Sequence, residues 1–229
     1  MGNGPCGPNT EIYYDFQTDD KVPKKASDLD NKRFLEICNI VFSESYHQGS
    51  VFLPLKEKCV DVGGGLERIA MVAQGKKNSF QIDLWQEVIE LIDNHYRKNN
   101  SIYTNESKGS FYIIADHLRT AIFALADEAR FEPKGRGYIL RKLVKRTALL
   151  GHFLNFSGEE LILFSQKLID VNSSFHTHLG QKNDLIIEYL KKEIIHIMKF
   201  IKNSAQKMDN YCQKILLVNN SVPAQDVFF

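Results

Sequence analysis

Three consecutive glycines, Gly63–Gly65, constrain the fold more than any other stretch of this chain. A short β-type run, Cys59–Val62, precedes them and an apolar helical pattern follows. Glycines at such a junction let the backbone approach a ligand closely because they have no Cβ. Asp61 is then expected at the strand end and Arg68 in the first helical turn, beside one crevice. The spacing also fits a plain strand-to-helix turn in which Glu67 and Arg68 only face solvent, since a glycine cluster is a weak signal.

The residues before the glycines are typical of β-structure. Residues 1–9 combine proline and glycine and predict a rigid loop. Strands are expected at Glu11–Phe16 and Phe34–Phe42, a polar loop over residues 17–32, and the start of a third strand at Val51–Pro54. No convincing crossover helix connects these runs, so antiparallel pairing is expected.

From Phe80 onward the apolar residues recur with helical spacing. In the first helix Leu84, Val88, Leu91 and Ile92 form a stripe, with Trp85 and Ile89 beside it. A second helix is expected at about Phe111–Ala129, with an apolar stripe of Ile114, Leu118, Ala121, Ile122 and Leu125. Further helices are expected at about Tyr138–Leu154, Glu159–Val171 and Asp184–Lys214. The sequence therefore predicts an α+β chain, with a β-rich piece over roughly residues 1–78 and an all-α domain over roughly residues 79–229.

Composition limits the classes of function. The hydrophobic fraction is 43%, the charged fraction is 25% and the net charge is +1, so any nucleic-acid surface must be a local patch. The four cysteines have no CxxC spacing, which favours reduced thiols and argues against a zinc site. The chain shows no leader sequence and no apolar run of membrane-spanning length. A cytoplasmic protein without a membrane partner is expected.

One local patch stands out, a window of six cations without an acid. Its members are Lys134, Arg136, Arg141, Lys142, Lys145 and Arg146. The spacing puts Arg136, Arg141 and Lys145 on one helix face and an apolar stripe on another. A solvated face is one interpretation. The density and single sign of the charges favour contact with phosphates.

The run from Asp61 to Ile69 resembles motif 3 of the class II aminoacyl-tRNA synthetases, in a form similar to the alanyl-tRNA synthetase family. Three more stretches agree with that family in order and spacing: Gly4–Glu11, Glu36–Phe42 and Arg136–Arg141. The resemblance reaches about residue 155. It implies part of the class II antiparallel sheet with the motif 3 strand and helix, followed by a helical tRNA-recognition domain.

The resemblance also implies roles for residues on the β-rich piece. The Asp61 carboxylate would meet the α-ammonium group of alanine, and the Arg68 guanidinium would contact ATP; these two are the catalytic candidates. The amino-acid pocket would consist of Asn39, Val41, Asp61 and Gly63. The site for ATP and its accompanying Mg²⁺ would use Glu11, Gly63, Gly65 and Arg68. Asn39 and Glu11 also fit simpler roles, at a strand edge and in solvent.

On the helical domain, the resemblance implies that the basic window binds the acceptor stem of the alanine tRNA. Arg119, in an Ala-Asp-His-x-Arg sequence, joins the window as a tRNA contact. Pro133 stands where the family commonly has the asparagine that reads a G·U pair, and proline has no side-chain donor. In the family an aspartate acts together with that asparagine, and the matching position would lie after Phe229. This domain is therefore expected to bind the tRNA backbone, but not to recognise the G·U pair through the asparagine and aspartate that the family commonly uses.

The implied function is ATP-dependent activation of alanine and its transfer to tRNA. Motifs 1 and 2 are not found before Gly4, so the chain is expected to be a fragment that is inactive in adenylation alone and has the missing N-terminal part of the enzyme as a partner. Pyrophosphate exchange with alanine tests that expectation. Two alternatives remain, a non-catalytic RNA-binding helical module and an interaction protein that uses its helix stripes. Filter binding of an acceptor-stem RNA separates them.

Overall fold

A computed structural model describes residues 2–17, 23, 29, 33–100 and 105–216. The chain separates into two compact units, residues 1–83 and residues 84–229. The polar loop expected over residues 17–32 lies outside the described residues, apart from residues 17, 23 and 29.

The first unit contains an antiparallel sheet, as predicted. Its strands are β1 (Gly4–Cys6), β2 (Asn9–Asp15), β3 (Phe34–Gln48) and β4 (Val51–Gly64). The long strand β3 pairs with β4 along one edge and with both β1 and β2 along the other. The three strands β2, β3 and β4 therefore run side by side, with β3 in the middle.

Two details of the predicted sheet are wrong. The expected N-terminal loop contains β1, where Gly4 pairs with His47 and Cys6 with Ser45. The third strand and the strand before the glycines are one continuous strand, β4, despite Pro54. Proline is tolerated on an edge strand and at bulges, and the β3–β4 register shifts where Pro54 meets Ser45. A tight turn at Gly49, with φ +63°, joins β3 to β4.

Helix α1 (Leu66–Ala73) follows β4 directly, and a short 3-10 helix (Ser79–Gln81) completes the first unit. All five helices predicted after it are present. Helix α6 was not predicted because its five residues are too short to show a periodic stripe. The helices are α2 (Asp83–Asn99), α3 (Asn105–Ala126), α4 (Gly135–Phe153), α5 (Gly158–Ser173), α6 (Thr177–Gln181) and α7 (Asn183–Leu216).

The second unit has a core built from helix stripes. The predicted stripe of α3 is confirmed, since Ile114, Leu118 and Ile122 are all buried. In α2, Trp85, Val88 and Ile92 are buried, whereas Leu84 and Leu91 of the predicted stripe are only half-buried. Within the described ranges, no helix combines the length and apolar character needed to cross a bilayer.

Candidate functional site

The register of the sheet brings the predicted pocket residues together. They form two adjacent rows across β2, β3 and β4: Glu11, Asn39 and Gly63 in one, and Asn9, Val41 and Asp61 in the next. Directly paired residues and residues two apart on a strand point to the same side of a sheet. One face therefore carries Glu11 and the whole predicted amino-acid pocket.

Hydrogen bonds tie this face together around the Glu11 carboxylate. Asn39 and Asn9 each donate from Nδ2 to Oε1 of Glu11, at 3.1 Å. The Tyr13 hydroxyl donates to Oε2 at 2.6 Å. This hydrogen bond raises the pKa of Tyr13, because ionising the phenol would place a second negative charge beside Glu11. Glu11 and Asn39 are thus linked to each other, and their proposed ligand contacts stay predictions.

A bulge brings one further carboxylate to this face. Ile12 pairs with Cys38, but the next residue, Tyr13, pairs with Glu36, which leaves Ile37 as an extra residue in β3. Tyr13 lies on the Glu11 side, so Glu36 lies there as well. Strict alternation from Asn39 would place Glu36 on the opposite face, so the sequence pattern alone missed it.

Arg68 reaches the same face from the first turns of α1. Its Nη1 donates to the backbone oxygen of Glu36 at 2.8 Å and lies 3.5 Å from Glu36 Oε2. Its positive charge also acts on the Tyr13 phenol. A Cβ added at Gly65 would lie 3.0 Å from the Arg68 side chain. The absence of a side chain at Gly65 therefore leaves room for the arginine.

The part of this face from the row of Asn9 to Tyr13 forms a strip across the sheet. Asp61 and Arg68 lie toward opposite ends of the strip, and no hydrogen bond or ion pair joins them. The rows of Asn9 and Tyr13 bound the strip, about 13 Å apart at the usual rise of a β-strand. Between them, a Cβ added at Gly63 would meet no atom within 4 Å, so the space above is open. Asp61 is exposed, on β4, which is an edge strand in the described part of the sheet.

The strip carries one acidic and one basic side chain, Asp61 and Arg68, toward its two ends. The Asp61 carboxylate makes no hydrogen bond or ion pair with the other described residues, so it is available to a cation such as an ammonium group. The planar guanidinium of Arg68 suits a phosphate or an adenine face. Among the described residues, no group of three or more His, Cys, Asp or Glu side chains is arranged to hold a metal ion.

The predicted tRNA contacts of the second unit fall into two groups. The exposed ones are Lys134, Arg136, Lys142, Lys145 and Arg146, in α4 or just before it. Arg141 is different, because its Nε donates to Glu193 Oε1 of α7 at 2.6 Å. Arg119 is different too, since its guanidinium stacks 4.0 Å from the Trp85 ring centroid and lies 3.7 Å from Asp116.

Two features of this surface were not apparent from the sequence. Helix α7 lies along α4 and brings Glu193, His196 and Phe200 to the basic window. Sequence spacing gives no sign of a contact between segments so far apart. On the neighbouring helix α3, burial lowers the pKa of His117, and the nearby charge of Arg146 adds to the effect.

Comparisons with known proteins identify the family of this chain. The family described as tRNA synthetases class II (A) matches residues 1–229. Among curated proteins, the chain is similar to the alanine–tRNA ligases of Staphylococcus aureus strains JH9, Newman and N315. Each is 30% identical over 233 residues, covering 100% of this chain and 26% of the relative. The chain thus spans about a quarter of the length of these relatives.

Proposed function

Because this chain belongs to the class II (A) tRNA synthetases, we propose that it forms part of an alanine–tRNA ligase. In this proposal, the first unit binds alanine and ATP with its Mg²⁺, and the second unit binds the acceptor stem of the alanine tRNA. The 30% identity with alanine–tRNA ligases over the full chain supports alanine as the amino acid.

The shared sheet face carries this proposal. Asp61 receives the ammonium group of alanine, and Asn39 and Val41 line the pocket beside it. Gly63 keeps the floor low between the two ends of the strip, where even an added Cβ would meet no atom within 4 Å. Arg68, fixed by Glu36, meets the nucleotide. Such chemistry relies on positioning and on charge neutralisation, which a hydrogen-bonded strip supplies.

A non-hydrolysable alanyl-adenylate analogue tests the sheet site. We expect the analogue to raise the thermal unfolding temperature of the full chain, because a ligand that binds only the folded state stabilises it. Asp61→Asn and Arg68→Ala should each reduce that shift. Glu57→Gln, an exposed acid on the same strand, is the matched control. Equal shifts in all four proteins would remove the sheet face from the proposal.

The exposed cations of α4 support the RNA half of the proposal. Contacts with phosphates release counterions, so affinity for an acceptor-stem RNA should fall steeply with added salt. Reversing the charge at Lys142 or Lys145 should weaken binding and lower the salt slope by about 1 for each lost phosphate contact. Lys98→Glu, at the end of α2, is the control. A salt-independent affinity would contradict the assignment of α4.

A further inference from the structure

A groove of about 440 Å³ runs between α4 and α7. This volume is within the range of about 300–1,000 Å³ that small-ligand sites occupy. Each helix contributes residues at helical spacing, so both walls are continuous stripes. From α4 these are Tyr138, Arg141, Lys142 and Lys145, and from α7 Glu193, His196, Ile197 and Phe200.

The groove combines an apolar floor with two exposed rings. Ile197 is 7% exposed and forms the floor, whereas Phe200 is 59% exposed and Tyr138 is 42% exposed. The Lys142 ammonium lies 4.9 Å from the Tyr138 ring centroid. Within the described part of the chain, Phe200 makes no contact with another aromatic ring. A large exposed ring in a groove is an available stacking surface.

The charges are divided between the groove and its rim. The pair formed by Arg141 and Glu193 connects the two helices across the groove, with 41% and 13% of the side chains exposed. Arg141 is therefore a positioning residue that holds the two walls together. Lys142 and Lys145 are exposed beside it, and neither forms an ion pair with another residue in the described part of the chain. Cations next to exposed aromatic rings are typical of proteins that bind single-stranded nucleic acid.

We propose that this groove binds an unpaired nucleotide of the RNA, with its base stacked on Phe200 and its phosphate at Lys142 and Lys145. The inference rests on the proposed function, which it deepens by adding base stacking to backbone contact. A base within a duplex is covered on both faces by its neighbours and cannot stack on a side chain. Duplex RNA therefore uses only the cations, while an unpaired base uses the cations and the ring.

Three RNA probes separate stacking from charge when binding to the full chain is followed by fluorescence anisotropy. They are a short single-stranded RNA, an abasic phosphodiester chain of equal length, and a blunt duplex. We expect the single strand to bind at least about 5-fold more tightly than the abasic chain, since stacking of one base contributes about 1–3 kcal/mol. The two chains carry equal charge, so electrostatic attraction cannot produce that difference.

Variants of Phe200 complete the test. Phe200→Ala and Phe200→Leu should both abolish the preference for the single strand over the abasic chain, because leucine restores apolar volume but no ring. Duplex affinity should not change. Phe175→Ala is the control, because it removes a ring that is 83% exposed and does not line the groove. This variant should behave as the unmodified protein.

The outcomes distinguish this inference from the proposed function. If the duplex binds with a steep salt dependence and the abasic chain equals the single strand, the groove proposal is wrong while the RNA-binding function stands. If no RNA binds, both are wrong. If an acidic peptide competes with the single strand and loses affinity in Phe200→Ala, the groove is a peptide site and the inference is overturned.

Discussion

The two units hold their candidate sites in place by different means. In the helical unit, the basic helix α4 is anchored through its own buried stripe, where Leu140, Val144 and Ala148 face the core. In the sheet unit, few side chains are buried, and apolar residues of β4 such as Phe52, Val60 and Val62 are exposed. The sheet site depends instead on strand register and on hydrogen bonds.

The two sites should therefore be sensitive to different kinds of mutation. Burial fixes α4 through many weak contacts, so loss of core volume should affect the surface that it supports. The sheet face is fixed by backbone pairing and by a few polar contacts, so a backbone clash should matter more there than the loss of an exposed ring. Matched substitutions in the two units test whether their stability depends on these different contacts.

The largest expected effect is in the helical core. Phe164 is fully buried and packs edge-on against the rings of His95 and Phe156, at 5.5 and 5.3 Å between centroids. Phe164→Ala should lower the free energy of unfolding of this unit by about 3–5 kcal/mol. Phe52→Ala, in the sheet, should cost less than about 1 kcal/mol. Urea unfolding followed by helical ellipticity measures the effect of Phe164→Ala. Comparable losses of stability in Phe164→Ala and Phe52→Ala would contradict the difference between the two units.

Backbone contact should produce the next largest effect, in the sheet. A Cβ at Gly7 would lie 1.7 Å from the backbone oxygen of Phe42, whereas one at Gly63 would meet nothing within 4 Å. Gly7→Ala should therefore destabilise the sheet by about 1–3 kcal/mol or more. Gly63→Ala should change stability by less than about 0.5 kcal/mol. Amide exchange of β3 is the measurement, and it should accelerate only in Gly7→Ala.

Gly63→Ala has a second use, because it separates stability from binding. The added methyl would lie on the sheet face between Asn39 and Asp61, where the proposal places the ligand. Weaker binding of the alanyl-adenylate analogue with unchanged amide exchange is expected. Unchanged binding would show that the ligand does not cross this part of the strip.

A smaller effect is expected at the start of α5, where a capping box closes the helix. The Oε2 atom of Glu160 accepts from the Ser157 backbone N–H, and the Ser157 hydroxyl accepts from the Glu160 backbone N–H. Burial alone would raise the pKa of Glu160, but the hydrogen bonds from Ser157, His95 and Asn99 outweigh it and lower the pKa. Ser157→Ala should cost about 1 kcal/mol, measured by urea unfolding.

The lowered pKa also predicts a pH dependence. The folded state binds the Glu160 proton less readily than the unfolded state, so this carboxylate stabilises the fold above its ordinary pKa of 4.5. That contribution is lost as the pH falls through the lower folded value. Urea midpoints across this acidic range should fall more in the unmodified protein than in Glu160→Gln. Glu159→Gln, an exposed neighbour, should leave the profile unchanged.

The sequence predicted the helical unit better than the sheet, for a physical reason. A helix stripe reports burial directly, so Ile114, Leu118 and Ile122 identified the core of α3. Strand pairing depends on partners far along the chain, and β1 carries only three residues of signal. Val51–Pro54 was predicted as the start of a third strand, separate from the strand before the glycines, because the tolerance of an edge strand for proline is visible only once the sheet order is known.

The candidate site shows the same division. The family resemblance put Asn39 and Asp61 in one predicted pocket, and the strand register then places both on one face of the sheet. Tyr13 was within reach of that reasoning, because it lies two residues after Glu11 on the same strand. Glu36 was not, since the bulge at Ile37 reverses its side. The groove residues of α7 were also out of reach, because their contact with α4 is tertiary.

The smallest expected effect tests the geometry on which the sheet site depends. If the Tyr13 hydroxyl donates to Glu11, its phenol should ionise at a higher pH than an ordinary tyrosine, because the neighbouring carboxylate disfavours the phenolate. Tyr13 then keeps its proton to a higher pH in the folded state than in the unfolded state. The resulting stabilisation is complete below the ordinary tyrosine pKa and disappears as the pH rises through the pKa of folded Tyr13. Tyrosinate absorbance follows the titration of the nine tyrosines.

Comparing variants isolates the single phenol within that titration. Tyr13→Phe should remove one late-titrating group, and Glu11→Gln should move that group to lower pH, since an amide carries no charge to oppose the phenolate. Asn39→Ala should leave the late phenol in place, because it removes a different hydrogen bond to Glu11. If Glu11→Gln leaves the titration unchanged, Tyr13 and Glu11 are not in contact. The hydrogen bond that holds the Tyr13 side chain beside Glu11 on this face would then be absent in solution.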